Sequence, residues 1–148
     1  MNVGDASTRG VVTCLATTSL AEVASRMRDR HVGAVVVVDD EQRRRPIGVI
    51  TDRDIVIEIV ATGLDANVIM AGDVMLDGLV TVTGESDPLE AARLMRSRGV
   101  RRLPVVDRDG ALAGIVTLDD LVHLLSTEMG HLARLIERQP RREAQTRP

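Results

Sequence analysis

The chain has 148 residues, 44% apolar and 28% charged, with 19 basic and 22 acidic side chains for a formal net charge of −3, which fits one ordinary globular domain or two small units sharing a core. Phe, Tyr and Trp are absent and every basic residue is Arg; the lack of an aromatic platform for bases counts against single-strand binding, and the negative balance gives no support for coating DNA or anionic membrane, leaving room only for local Arg clusters. The longest uncharged apolar run, around Val32–Val38, is far short of the roughly 20 residues of a membrane helix, Met1–Gly10 lacks a charged start followed by an apolar stretch, and the lone Cys14 allows no intrachain disulfide, so the expected location is the cytoplasm.

In chain order, Val11–Leu15 reads as a short strand, followed by Leu20, Val23, Ala24 and Met27 at helical spacing, which predicts a helix from about Ser19 to Arg30. Ser19 is the expected N-cap, with Glu22 completing a capping box. Val35–Val38 and Ile47–Ile50 have strand length and β-branched content, and a further helix starts after Thr51. The second half repeats this order: strand Leu79–Thr83, a helix from about Asp87 to Ser97 with Pro88 in its first turn, strands Leu103–Val106 and Ala113–Val116, and a helix after Thr117.

The halves match residue by residue. Val32-Gly33-Ala34-Val35-Val36-Val37-Val38-Asp39 followed by Gly48-Val49-Ile50-Thr51-Asp52-Arg53-Asp54 returns as Val100-Arg101-Arg102-Leu103-Pro104-Val105-Val106-Asp107 and Gly114-Ile115-Val116-Thr117-Leu118-Asp119-Asp120. The connection between Asp39 and Gly48 is two residues longer than that between Asp107 and Gly114, as expected of hairpin turns. The fold expected is α/β: two β-α-β-β-α units packed with pseudo-two-fold symmetry, with a cleft between them suited to a small ligand. Thr51 and Thr117 each open a helix with an Asp three positions on. That spacing suits a capping box, and it equally suits hydroxyl and carboxylate groups facing a ligand at a helix N-terminus.

The twice-repeated Gly-apolar-apolar-Thr-x-x-Asp-apolar-apolar motif, each copy preceded by an apolar strand ending in Asp, resembles the CBS domain family over about Val3 to Leu125. Tandem CBS units pair into what is called a Bateman module. The resemblance implies a non-enzymatic regulatory module for adenine-containing ligands such as AMP, ADP, ATP or another adenosyl compound, in clefts that combine the Thr-x-x-Asp of one unit with strand entrances of the other. Carried over by position, cleft B consists of Thr51, Arg53 and Asp54 with Val80, Val100, Arg101 and Arg102; cleft A consists of Thr117, Asp119 and Asp120 with Val12, Val32 and Gly33. A carboxylate such as Asp54 can accept two hydrogen bonds from a ribose diol, and guanidiniums suit bidentate phosphate contacts. Cleft A has Asp119 where B has Arg53, and Gly33-Ala34 where B has Arg101-Arg102; a phosphorylated ligand is therefore expected in B. Val36 stands where the family usually has Pro in unit one.

No nucleophile motif or Gly-rich phosphate loop is present, the adjacent carboxylates Asp39-Asp40 and Asp119-Asp120 are poorly placed for acid/base work, and the three histidines show no metal-ligand spacing. Arg43–Arg45 reads as a solvated hairpin tip and Cys14 as a small core residue. Leu118, Val122, Leu125, Met129, Leu132 and Ile136 form a seam of coiled-coil spacing interrupted at Gly130, where the helix is expected to bend or break. The domain plan is 1–62 for the first unit, 63–72 for a linker, 73–126 for the second unit, 127–138 for a helical extension and 139–148 for a disordered tail. The expected assembly is a homodimer through the CBS helices and the C-terminal helix, passing ligand occupancy to an unknown effector protein. Two other readings stay open: a CBS-fold interaction or stress-associated protein that binds no nucleotide, and a nucleic-acid-binding accessory using its Arg surface.

Overall fold

Each half of the chain builds a three-stranded sheet of the same design. In this computed structural model, which describes residues 1–147, β1 (Thr13–Leu15) runs parallel to β2 (Ala34–Val38), which pairs antiparallel with β3 (Pro46–Thr51). In the second half β4 (Val82–Thr83), β5 (Arg102–Val106) and β6 (Leu112–Thr117) repeat the order, the senses and the irregularity in the register of the hairpin. Helix α2 (Leu20–Arg30) follows β1, α5 (Pro88–Arg98) follows β4, and short α3 (Asp52–Ile55) and long α6 (Leu118–Thr146) leave β3 and β6. Single-turn helices α1 (Val3–Ala6) and α4 (Ala71–Val74) precede the units. The fold is the expected α/β pair of β-α-β-β-α units with an extended C-terminal helix.

The unbroken valines of β2 have a simple cause: alternate side chains point to opposite faces of a strand, and here both faces are covered. Val35 and Val37 enter the unit-one core with Leu20, Val23, Met27 and Ile50, whereas Val36 and Val38 meet Leu112 and Ile115 of the other sheet. That inter-sheet layer joins the two units. The unit-two core holds Val82, Ala91, Met95, Leu103, Val105, Val116 and Leu121.

Segments at the unit boundaries are exchanged between the two cores. Val3 is fully buried in the unit-two core, its N–H donates to the Ser86 carbonyl at 3.0 Å, and Thr8 forms a bridge with Ile115. The first residues assigned to unit one thus pack on unit two. Reciprocally, residues planned as linker cover unit one: Ala71 is buried in its core and donates to the Thr18 carbonyl at 2.8 Å, and Ile69 and Ala66 accept from the first N–H groups of α2. Gly48 and Gly114 make this exchange sterically possible. A Cβ on Gly48 would lie 2.7 Å from Met75 Sδ, and one on Gly114 would lie 2.9 Å from the Thr8 carbonyl.

Four local expectations are corrected. Ser19 caps α2 by accepting from the Glu22 N–H at 3.2 Å, but the Glu22 carboxylate turns to Arg26 at 3.3 Å, leaving half a capping box. Only Val82 and Thr83 of the expected strand 79–83 pair with β5, because Leu79 and Val80 line the inter-unit cleft. The helix after Thr51 changes to a π-turn at Val56–Val60. Helix α6 runs unbroken through Gly130 and Pro140 to Thr146, past the planned end at 138 and into the planned disordered tail, of which Pro148 lies outside the described residues. Proline removes one helical hydrogen bond, but the Arg, Glu, Ala and Gln residues that follow are strong helix formers.

Candidate functional site

The strand ends that face the pseudo-two-fold carry the helix starts of both units, so the motif residues meet there. Thr51 Oγ1 accepts from the Asp54 N–H at 3.2 Å and the Thr51 N–H donates to Asp54 Oδ2 at 2.8 Å. Thr117 and Asp120 repeat this pair at 3.1 and 2.8 Å. Both motifs are therefore capping boxes, and each leaves one carboxylate oxygen, Oδ1, without a hydrogen bond among the described residues.

Between α3 and the second unit opens a cleft of about 460 Å³. It brings together Thr51, Arg53, Asp54, Val80, Val100, Arg101 and Arg102, all seven residues placed in cleft B from the sequence. Its walls are apolar at Val49, Leu76, Leu79, Val80, Val100 and Leu103, and its rim carries Arg53, Arg98, Arg101 and Arg102 against Asp52, Asp54 and Asp77. An apolar slot whose lining includes four guanidiniums and the half-buried Asp54 carboxylate can sandwich a flat ring, accept from a diol and hold a phosphate. Sequence reasoning missed Arg98, Asp52, Asp77 and the Leu76–Leu79 wall. Arg98 was within reach: it ends α5 one residue before the left-handed C-cap Gly99 and two before Val100.

The residues of cleft A come from both units. Thr117 and Asp120 cap α6, Val32 and Gly33 lead into β2, Val12 packs against the unit-one core, and Asp119 is exposed. The two sets touch at the arginines. Arg101 Nη2 lies 3.5 Å from Asp119 Oδ1. Arg102 crosses to unit one, where its Nη2 is 3.4 Å and Asp52 Oδ2 is 3.3 Å from the point a Cβ on Gly33 would occupy. A second recess of about 450 Å³, lined by Ser7, Arg9, Glu85, Asp107 and Arg108 among others, shares no residue with either set.

Away from the cleft, Cys14 is 2% exposed in the unit-one core, and burial pushes its thiol up to about 11 against a smaller opposing pull from Arg26. At the hairpin tip, desolvation raises the Asp39 carboxyl, but N–H donation from Arg45 and Asp40 and the charges of Arg45 and Arg43 outweigh it and leave the carboxyl below its ordinary value. Among the described residues no three His, Cys, Asp or Glu side chains gather closely enough to hold a metal ion, and no helix is long and apolar enough to cross a membrane.

The pattern of the CBS domain family matches this chain twice, over residues 3–61 and 71–127. The chain belongs to the CBS domain family. It is a tandem CBS pair. It is 39% identical over 124 residues to the uncharacterized protein MK0525 of Methanopyrus kandleri, covering 84% of this chain and 62% of that protein, so the chain spans under two thirds of that relative's length. It is 36% identical to hypoxic response protein 1 of Mycobacterium tuberculosis over 77% of this chain and 78% of that one. The crystal structure of Hypoxic Response Protein I with two coordinated zinc ions superposes with a TM-score of 0.73 at 32% identity, covering 83% of this chain and 98% of that one. The CBS domain pair of MJ0100 in complex with 5′-methylthioadenosine and S-adenosyl-L-methionine shares the fold at a TM-score of 0.74 and 23% identity, covering 86% and 98%. A hexameric CBS-CP12 protein from bloom-forming cyanobacteria superposes at a TM-score of 0.74 and 25% identity, over 82% of this chain and 66% of that one.

Proposed function

We propose that this tandem CBS pair is a non-enzymatic cytoplasmic sensor that binds an adenine nucleotide or related adenosyl ligand in cleft B and passes its occupancy to an effector protein as a homodimer. The observation that carries the reading is the convergence of Arg53, Arg98, Arg101 and Arg102 with the free Oδ1 of Asp54 around one apolar slot between the units. The MJ0100 pair, of the same fold, holds adenosyl ligands, which supports the ligand class. The adenine ring sits between Val80 and Val100, the ribose diol donates to Asp54, and the phosphate meets the arginines. The CBS helices and α6 supply the dimer contacts; Val56, Val60 and Val122 are exposed apolar residues on them.

The equal capping geometry of the two motifs makes a matched control available. Asp54→Ala and Asp120→Ala each remove the same bond, from the threonine N–H to Oδ2, and leave the backbone N–H of residue 54 or 120 donating to the threonine hydroxyl; the stability cost, about 1 kcal/mol, is matched, so a difference in ligand binding isolates the cleft. Thermal unfolding with AMP, ADP, ATP, S-adenosylmethionine and NAD is expected to show a stabilising ligand, worth about 2.7 kcal/mol at a hundredfold excess over Kd, lost in Asp54→Ala and kept in Asp120→Ala. The reverse pattern would overturn the assignment to cleft B. A flat response across the panel would favour the second reading, an interaction protein that binds no nucleotide; in its support, Thr51 Oγ1 and Asp54 Oδ2 are already engaged as helix caps.

A further inference from the structure

Helix α6 continues beyond the residues the family pattern matches, which end at 127, for about five further turns to Thr146. Along this extension Met129, Leu132, Leu135 and Ile136 are 58–71% exposed, and every residue from His131 to Arg147 is exposed. Helical stability in proteins comes mostly from packing of an amphipathic face, and four large apolar side chains on one face of this extension call for a covering surface. With Leu132 at position d and Ile136 at position a, the heptad frame places Glu128, Leu135 and Arg142 at g, Ser126 and Ala133 at e, and Gln139 and Glu143 where the seam turns polar.

We propose that α6 pairs antiparallel with α6 of a second copy of this chain, with the two-fold axis at Arg134. This rests on the homodimer reading above and fixes its orientation and register. In that register Leu132 packs on the partner's Ile136 and Met129 on the partner's Gln139, Leu135 meets its own copy, and small Ala133 lies across from the partner's Ala133, allowing close approach. Glu128 then faces the partner's Arg142 at both ends of the pair. Within one chain Glu128 has only His131, at 3.9 Å, beside it. Parallel pairing fails on two counts: it sets Glu143 against the partner's Glu143 in the seam, and it leaves residues 128 and 142 about 21 Å apart along the axis.

The test uses the full chain and sedimentation velocity over a concentration series, with circular dichroism to verify folding. Wild type is expected to dimerise, Leu132→Asp to be monomeric, Glu128→Arg and Arg142→Glu each to weaken the dimer about five- to tenfold, and the double variant Glu128→Arg/Arg142→Glu to recover most of that loss. A monomeric wild type would overturn both the homodimer reading and this pairing. A dimer indifferent to Leu132→Asp would overturn the pairing while leaving assembly through the CBS helices standing. Dissociation by Leu132→Asp without recovery in the charge-exchanged double variant would overturn the antiparallel register.

Discussion

Asp119 is expected to act as a resident competitor for the phosphate of a cleft B ligand. Its carboxylate lies 3.5 Å from Arg101 Nη2, one of the four arginines of the cleft, and both side chains are largely exposed. At that separation in water the pair attracts by about 1 kcal/mol before side-chain entropy and screening, which reduce exposed pairs to about 0.5 kcal/mol. Asp119→Asn frees Arg101 and removes a negative charge that also repels the phosphate, so AMP binding should tighten about two- to fivefold. Adenosine, which has no phosphate, should bind the variant and the wild type equally. Calorimetric titrations with both ligands at low salt, repeated near 0.5 M salt where the Debye length falls to roughly 4 Å and the gain should shrink, provide the readout. The reasoning fails if AMP does not gain, or if adenosine gains by the same factor. Combining the change with Arg101→Ala should cut the gain from Asp119→Asn to the part that comes from relieved phosphate repulsion, because the residue it restrains is gone.

Two further outcomes follow from the backbone and the core. His31 ends α2 with φ 54° and ψ 46°, the place its repeat partner Gly99 fills with φ 65° and ψ 32°; because a β-carbon strains this left-handed cap, His31→Gly should raise stability by about 0.5–1 kcal/mol and Tm by about 2–4 °C, and an unchanged or lower Tm would refute the strain. The Cys14 thiol, raised from 9.0 to about 11 in the folded chain, keeps its proton longer than in the unfolded chain, so its contribution is whole below about pH 9 and lost as pH rises to about 11; unfolding free energy should fall more steeply across that window than in Cys14→Ala, and native protein should resist a thiol reagent at pH 8 that labels it rapidly once denatured.

What was legible in the sequence was whatever local chemistry or the repeat itself encodes. Caps at Ser19, Thr51 and Thr117 were readable because a side chain three residues or fewer from its N–H partner needs no tertiary information. The strand β2 followed from its β-branched content, and the seven residues of cleft B from what the resemblance to the CBS family implies when carried over onto the repeated motif. The exchange of N-terminal segments was not legible: Val3–Ala6 is a four-residue turn with one buried side chain, and no periodicity that short reveals which core will take it. The glycines of the repeated motif had the same difficulty, since Gly48 and Gly114 are required by Met75 and Thr8, which are distant from them in sequence. Arg98 escaped because helix-end arginines are common and only the left-handed turn at Gly99 brings this one to the cleft.

The mismatches between the copies depend on one another. The pseudo-two-fold sets Gly33 against Arg101 and Ala34 against Arg102, and the Arg102 guanidinium reaches from unit two to Gly33, where a Cβ would meet its Nη2 at an ordinary 3.4 Å and Asp52 Oδ2 at a tighter 3.3 Å. An arginine at 33, which true symmetry would require, would drive its own Cβ within 3.4 Å of Arg102 Nη2 and within 3.3 Å of Asp52 Oδ2. Asp119, standing where unit one has Arg53, lies 3.5 Å from Arg101 Nη2. Restoring symmetry by substitution at Gly33 alone would disturb Arg102 in cleft B before it added anything to cleft A.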